Sequence, residues 1–186
     1  TLKDFIAFAK ARPGQLNYGS AGSGSGSHLF TAMFASMAGI NLVHVPYRGA
    51  AFSTTALLSG ETIFMFEKIV TILPLVRADK LRPHAVTTMK RSRAAEDIPT
   101  LAESGVPGYD ANAWFGVFAP AGTPAAVINR LHAEIVKILK LPEIRDRFLA
   151  LGAEPAGTTP EQFAAFFRNE VAKWAKVVKE SGAQVD

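Results

Sequence analysis

The sequence predicts an α/β fold with parallel strands, and two observations support this prediction. In the first half of the chain, segments rich in β-branched and aromatic residues alternate with segments whose apolar residues recur at helical spacing. The composition is 48% hydrophobic and 19% charged over 186 residues, which is enough apolar material to bury a core. In sheets of this kind, ligands sit beyond the carboxyl ends of the strands and close to helix N-termini.

The first half of the chain is predicted to alternate helices and strands. Thr1 is predicted to cap a first helix that ends at Pro13-Gly14. A second helix carries apolar residues at helical spacing from Leu29 to Met37 and ends at Gly39. The other predicted elements are strands at 16–18, 41–47, 62–66 and 81–88 and helices at 51–58 and 69–77.

The second half is predicted to be mostly helical. Its predicted elements are an irregular segment at 89–113, a strand at 113–119, and helices at 124–140, 142–151 and from about 160 to 182. Thr123 is predicted to cap the first of these helices, with Pro124 at the first helical position. Thr159 and Gln162 form a capping-box pattern before the last helix. That helix has a large apolar face made by Phe163, Phe166, Phe167, Val171, Trp174 and Val178.

A run of Gly and Ser joins the first predicted strand to the second helix within Leu16–Leu29. The run has no charged or bulky side chain, so the first N–H groups of the helix point outward without partners. The helix dipole adds partial positive charge there, and Ser25 is predicted to be the N-cap. The alternative is a flexible Gly/Ser linker, which the closely flanking apolar segments disfavour. The stretch therefore predicts a seat for a small anion.

Three enzyme motifs do not fit this run. The dinucleotide pattern Gly-x-Gly-x-x-Gly fails because Ser27 stands where the third Gly is required after Gly22 and Gly24. The phosphate-binding P-loop fails because no Gly-Lys-Ser or Gly-Lys-Thr follows. The hydrolase pattern Gly-x-Ser-x-Gly fails because no Ser lies midway between two Gly four positions apart.

Charge and cysteine content exclude several function classes. The net charge is +4, and the densest basic cluster, Lys90-Arg91-Arg93, has no interleaved aromatic residues, so nucleic-acid binding is not favoured. The absence of cysteine excludes disulfides, zinc–thiolate sites and thiol nucleophiles. No spacing of His, Asp and Glu is typical of a metal site, and no cofactor is predicted. No apolar run approaches the roughly 18 residues of a membrane-spanning helix.

Six stretches carry a resemblance to a known family. They appear in family order as Leu16–Leu29, Val45–Gly49, Ile98–Gly108, Ala113–Gly116, Ala119–Pro124 and Leu151–Pro155. The chain resembles the substrate-binding proteins of tripartite tricarboxylate transporters, also called the Bug family of extracytoplasmic solute receptors. The similarity covers nearly the whole chain. The Pro-Thr-Leu-Ala-Glu-Ser-Gly-Val-Pro-Gly block within Ile98–Gly108 is its most specific part.

The resemblance implies a two-lobe fold of the type II periplasmic-binding-protein kind. It implies that residues 1–112 are the second, ligand-binding lobe and that residues 113–186 are a return strand and C-terminal helices that normally pack on the first lobe. Nothing in the chain matches the family's first lobe. The implied function is periplasmic, non-enzymatic capture of a small carboxylate for membrane permease subunits. Self-association through the exposed last helix is a further expectation, since its apolar face needs a partner.

The candidate ligand-binding residues fall into three groups. The carboxylate is expected at the Gly/Ser run, through backbone N–H groups and hydroxyls of Ser20, Ala21, Gly22, Ser23, Ser25 and Ser27. Glu67 occupies a position where the family often carries Asp, which implies a contact to an amino or hydroxyl group of the ligand; the alternative is a surface pair with Lys68. Tyr18, Tyr47 and Trp114 are candidate walls of the cleft, or ordinary core aromatics.

The alternative function is a small serine hydrolase or transferase. His28 follows the run at the third helical position and could serve as a base for a nearby loop Ser. No acidic residue with a fitting spacing is evident to orient it, so helix-start packing or hydrogen bonding is the favoured interpretation of His28.

Overall fold

A computed structural model of the chain describes residues 1–183. Its elements, in chain order, are α1 (Leu2–Lys10), β1 (Leu16–Ser20), α2 (Gly26–Ala38), β2 (Leu42–Pro46), α3 (Ala50–Ser59), α4 (Ile69–Arg77), α5 (Ala125–Leu139), α6 (Pro142–Ala150) and α7 (Pro160–Ser181). The chain forms two units. Unit 1 comprises Thr1–Ala113 and the chain from Trp174 onward, and unit 2 comprises Trp114–Lys173. The predicted roles of 1–112 and 113–186 stay predictions, and residues 184–186 lie outside the described chain.

The two strands of unit 1 are parallel, as predicted. Their register runs from Leu16 opposite Leu42 to Ser20 opposite Pro46, so both strands end at the same edge. A parallel pair requires a crossover, and α2 supplies it. The carboxyl end of β1 therefore leads directly into the start of α2.

The predicted strand at 62–66 is wrong, although this segment does lie beside β1. It makes one isolated parallel bridge, Gly19 to Met65, and Gly19 N donates to Phe64 O at 3.0 Å. The side chain of Asn17 takes the place of further ladder bonds: its Nδ2 donates to Glu61 O at 2.8 Å, and its Oδ1 accepts from Ile63 N at 3.2 Å. Side-chain bonds thus replace the backbone ladder that a strand would need.

The predicted strands at 81–88 and 113–119 are also wrong. Within 81–88, only Val86 is bridged, to Thr100, and Pro99 next to it has no N–H to extend a ladder. Residues 113–119 adopt no strand, since no backbone pairing is formed by this segment in the described structure. A strand depends on a neighbour, and the apolar sequence of a segment does not specify one.

The core of unit 1 is built around Phe34 of α2, which is fully buried. Its ring stacks on Phe64 at 5.5 Å and meets the edge of Phe66 at 5.8 Å. Tyr109 is also fully buried, and its hydroxyl donates to Phe30 O at 2.9 Å. These contacts fix α2 against the sheet and so fix where its first turn lies.

Unit 2 contains α5, α6 and most of α7 and has a largely exposed apolar surface. Trp114 packs edge-on against Phe163, Phe166 and Phe167. Phe115 is 87% exposed, and Phe166 and Phe167 are also exposed. The predicted apolar face is therefore present, and self-association through it stays a prediction. Within residues 1–183, none of the helices has both the length and the apolar character needed to cross a bilayer.

Predicted helix caps at Thr1 and Thr159 agree with the structure, and the one at Thr123 does not. The predicted cap at Thr1 is confirmed, where Asp4 completes a capping box, and the predicted capping box of Thr159 with Gln162 is confirmed as well. The cap predicted at Thr123 is wrong: Pro124 is the N-cap of α5, and Thr123 Oγ1 donates to Pro120 O at 2.8 Å. The hydroxyl closes the preceding turn and so is directed away from the helix.

Candidate functional site

The candidate site is the Gly/Ser loop between β1 and α2. Ser25 is the N-cap of α2, with φ −65° and ψ 160°, and its Oγ accepts from His28 N at 3.3 Å, which confirms the predicted cap. Gly22 has φ +133°, a backbone conformation that residues with a Cβ rarely adopt. The loop thus turns tightly from the strand end into the helix.

The hydroxyls of the loop are used to hold the loop itself. Ser25 Oγ donates to Gly22 O at 2.7 Å, so the proton between Ser25 Oγ and Ser27 Oγ, 3.1 Å apart, comes from Ser27. Ser27 Oγ in turn accepts from Ala21 N at 2.9 Å. Ser20 Oγ contacts both the N–H and the carbonyl of Gly22, at 3.2 and 3.1 Å. These serines therefore form an internal network.

The backbone amides of the loop divide into two sets. Those of Ala21, Gly22 and Gly24 donate to side chains of the loop and of His28, and that of Ser25 donates to Gly22 O at 3.2 Å. The amides of Gly26 and Ser27, the first two of α2, have no acceptor among the described residues. The first turn of α2 also contains no acidic side chain. Two helix N-terminal donors thus remain available to an external anion.

Two histidines hydrogen-bond to residues at the start of the loop, and the sequence pointed to His28 but not to His44. His28 and His44 stack with ring centroids 3.8 Å apart and planes 6° from parallel. His44 Nε2 lies 2.6 Å from Ser20 Oγ, and His28 Nδ1 accepts from Gly24 N at 3.1 Å. His44 comes close to the loop because the strand register places it opposite Tyr18 on β1. A sequence alone does not fix that register.

A cavity of about 460 Å³ lies beside this support. Tyr18, His28, His44, Ser23 and Glu180 are among its lining residues. Burial raises the pKa of Tyr18 to about 12, so Tyr18 stays neutral at ordinary pH. Burial lowers the pKa of His28, and burial together with the neighbouring His28 lowers the pKa of His44 to about 4.

Unit 1 is expected to lose stability in mild acid because of His44. The unfolded chain, with a histidine pKa near 6.5, binds the proton before the folded chain does, so the free energy of unfolding falls as pH drops from about 6.5 towards 4. The loss is on the order of 1 kcal/mol after allowing for the partial solvent exposure of the ring. Melting temperatures measured from pH 7.5 to 4.5 check this, and His44→Gln, which does not titrate, should make the decline shallower, while the lowered pKa of His28 leaves part of it.

Two predicted site residues have hydrogen bonds of their own outside the Gly/Ser loop. Glu67 lies two residues past the Gly19–Met65 bridge, at the same sheet edge as Ala21, and its Oε1 accepts from Lys68 N at 2.8 Å. Trp114 belongs to unit 2, where its Nε1 donates to Glu170 Oε2 at 3.2 Å. Tyr18 is buried under the loop, 4% exposed. Their contacts with a ligand stay predictions.

The geometry does not assemble the hydrolase arrangement. The Nδ1 of His28 accepts from the Gly24 amide and not from a serine hydroxyl. The histidine–serine contact that does form, between His44 and Ser20, involves a fully buried Ser20. Among residues 1–183, no group of three or more His, Asp and Glu side chains is arranged to hold a metal ion.

Comparisons with known proteins identify relatives over nearly the whole chain. Residues 1–183 match the family described as "Tripartite tricarboxylate transporter family receptor". Protein BugT of Bordetella pertussis is 35% identical over 185 residues, which are 100% of this chain and 57% of that protein. A solved R. palustris protein with adipate is 36% identical, with a TM-score of 0.83 over 98% of this chain and 61% of its own. MatC of Rhodopseudomonas palustris, with bound malate, is 30% identical, with a TM-score of 0.76 over 95% and 61%.

Proposed function

Because the chain belongs to the tripartite tricarboxylate transporter receptor family, we propose that it captures a small carboxylate for a transporter of this kind. The family and the fold class predicted from the sequence are confirmed by the family match and the solved relatives. The family consists of substrate-binding receptors and not of enzymes, which corrects the alternative of a serine hydrolase using His28. The chain spans 57% of BugT and 61% of each of the two solved relatives, so the activity of a whole receptor is part of the proposal.

The observation that carries the proposal is the pair of unpartnered amides at Gly26 and Ser27. They sit at the positive end of a 13-residue helix, and no acidic residue in the first turn neutralises that end. A carboxylate has two oxygens, which match two adjacent N–H donors. Hydrogen bonds from backbone donors to a charged acceptor are roughly twice as strong as neutral ones, so a cationic side chain is not needed.

The remaining predicted residues take distinct parts in this proposal. Ser20 is fully buried and engaged with His44 and Gly22, so it organises the loop and does not face the ligand. Ser23 is exposed at the tip of the loop and is a candidate for direct contact. Glu67, half-buried at the sheet edge, is proposed to meet a hydroxyl or amino group of the ligand.

The proposed ligand class is a dicarboxylate of four to six carbons. Two relatives hold adipate and malate in their solved structures. A tricarboxylate, an acidic amino acid or an aromatic acid also presents the carboxylate that the two amides would bind. Periplasmic location and delivery to membrane permease subunits follow from the family and are part of the proposal. No cofactor or nucleic acid enters it.

Calorimetric titration tests the proposal directly. Malate and adipate are titrated into the 186-residue chain, with adipamide as a control that has the length of adipate but no charge. Saturable binding of a dicarboxylate, without binding of adipamide, would support the proposed function. Equal behaviour of adipate and adipamide would contradict it, since the amide seat recognises negative charge.

Gly26→Pro is expected to weaken dicarboxylate binding by about tenfold or more, because hydrogen bonds to charged groups contribute roughly 1.5–3 kcal/mol. Proline removes one of the two free donors and fits the first helical position, and the extended backbone of Ser25 is compatible with a following proline. The melting temperature should therefore not fall. Gly26→Ala is the matched control, because it keeps the N–H and a Cβ there meets nothing within 4 Å. Equal affinities of the two variants would exclude this amide from the site.

A further inference from the structure

His28 occupies the third helical position of α2, where a capping box usually carries Glu or Gln. Resting on the proposed function, we propose that His28 positions the carboxylate-binding loop by acting as an uncharged acceptor for the Gly24 amide. One half of a box is present, and the second bond is shifted by one residue, because Ser25 N donates to Gly22 O at 3.2 Å and not to the ring. His28 N donates to Ser25 Oγ at 3.3 Å, and the His28 ring accepts from the backbone just before the cap.

The protonation state of the ring follows from this geometry. The Gly24 amide is a donor, so Nδ1 of His28 accepts at 3.1 Å and carries no proton. The proton of the neutral ring therefore sits on Nε2. The ring is held in this orientation by packing, because His28 is 4% exposed and stacks on His44. Gly24 lies two residues before Gly26, so holding the Gly24 amide fixes the backbone that leads to the free amides.

An uncharged acceptor suits this helix because the amides of Gly26 and Ser27 must stay available to an anion. In the same chain, α1 uses Asp4 and α7 uses Gln162 at the equivalent position. A carboxylate at position 28 could also accept from the Gly24 amide, but its negative charge would lie within one turn of the Gly26 and Ser27 amides. It would offset the helix dipole there and repel the incoming anion. The imidazole provides the hydrogen bond without that charge.

Three substitutions separate the hydrogen bond from the charge. His28→Asn places an amide oxygen where Nδ1 was and leaves the side chain uncharged. His28→Glu keeps an acceptor and adds a negative charge. His28→Leu removes the acceptor. His84→Asn is the control, since His84 is a half-buried histidine that packs on Phe5 and Phe64 outside the loop.

Each variant is measured in three ways: melting temperature, hydrogen exchange of the Gly24 amide, and titration with malate and adipate at pH 7.5. In His28→Leu, the Gly24 amide should exchange faster, and affinity should fall about fivefold, the effect of one neutral hydrogen bond. His28→Asn should restore protection of Gly24 and most of that affinity. His28→Glu should protect the Gly24 amide as well as His28→Asn does yet bind about tenfold more weakly, a split that a purely structural role would not produce. His84→Asn should leave Gly24 exchange and affinity unchanged.

Two results would overturn the inference: unchanged Gly24 exchange in His28→Leu, or equal affinities of the Glu and Asn variants. If the Leu variant does not fold, the comparison of Glu with Asn still decides it. If the wild-type chain binds neither acid, the proposed function fails, whereas Gly24 exchange still tests whether His28 holds the loop. Binding that is retained in all three variants would leave the proposed function standing and reject the role of His28.

Discussion

Phe34→Ala is expected to lower the free energy of unfolding of unit 1 by about 3–5 kcal/mol, the usual cost of removing a buried phenylalanine. Phe34 is fully buried, and its ring contacts both Phe64 and Phe66. Removing the ring leaves a cavity between α2 and the segment beside β1. Urea denaturation monitored by circular dichroism measures the change, and the midpoint should fall well below that of the wild-type chain.

The matched control for this variant is Phe52→Ala on α3. Phe52 is 62% exposed, so its removal forfeits little burial and should change stability by about 0.5 kcal/mol or less. Dicarboxylate affinity should fall with Phe34→Ala as well, because Phe34 anchors the helix whose first turn carries the free amides. A small effect of Phe34→Ala, comparable with that of Phe52→Ala, would mean that α2 is not seated as described.

Gly19→Ala is expected to destabilise unit 1 by roughly 1–3 kcal/mol, the cost of overpacking a filled core. A Cβ at Gly19 would lie 2.6 Å from Ser53 Oγ and 3.3 Å from Thr62 Oγ1, the first of which is closer than real Cβ contacts come. Gly19 is the penultimate residue of β1, which leads into the loop, and its N–H bonds to Phe64 O. Displacing it would shift the loop, so weaker dicarboxylate binding is expected with the loss of stability.

A second substitution tests whether this close contact is the cause. Ser53 is fully buried, and its Oγ has no hydrogen-bond partner in the described structure. Ser53→Ala alone should therefore be neutral or stabilising by about 1 kcal/mol, since it removes an unsatisfied hydroxyl from a helix. The double variant should recover much of the stability lost in Gly19→Ala, and thermal melts of all four proteins measure the coupling. Additive effects of the two changes would show that Ser53 is not what the new methyl group meets.

Local sequence features were sufficient to predict the loop and its helix. Ser25 has a hydroxyl and is followed by apolar residues at helical spacing, and both features are local to the chain. The capping box of Thr159 and Gln162 was predictable for the same reason. The parallel pairing of β1 and β2 followed from their separation by a helix.

The parts that could not be predicted depend on contacts between distant residues. In the sequence, Asn17 is an ordinary polar residue of a strand. Only the fold brings its side chain to the backbone of the segment after α3, where its hydrogen bonds replace those of a β-ladder. The pairing of His44 with Ser20 depends on strand register, which composition does not fix. Likewise, the bonds of Ser20, Ser25 and Ser27 within the loop could not be read from the sequence, and the contacts of these serines with a ligand stay predictions.

Because Ser20–Ser27 contains no lysine or arginine, the proposed site should depend little on the salt concentration around it. Dissolved ions weaken attraction between separated charges over about 8–10 Å, but they do little to donors that touch the bound oxygen directly. We therefore expect the affinity for a dicarboxylate to change little between low and high ionic strength, unlike the affinity of a site that relies on an arginine. Selectivity among anions would then depend on the directions of the Gly26 and Ser27 N–H groups. A halide ion offers one acceptor atom and not two, so we expect it to compete poorly with a carboxylate even when it is abundant.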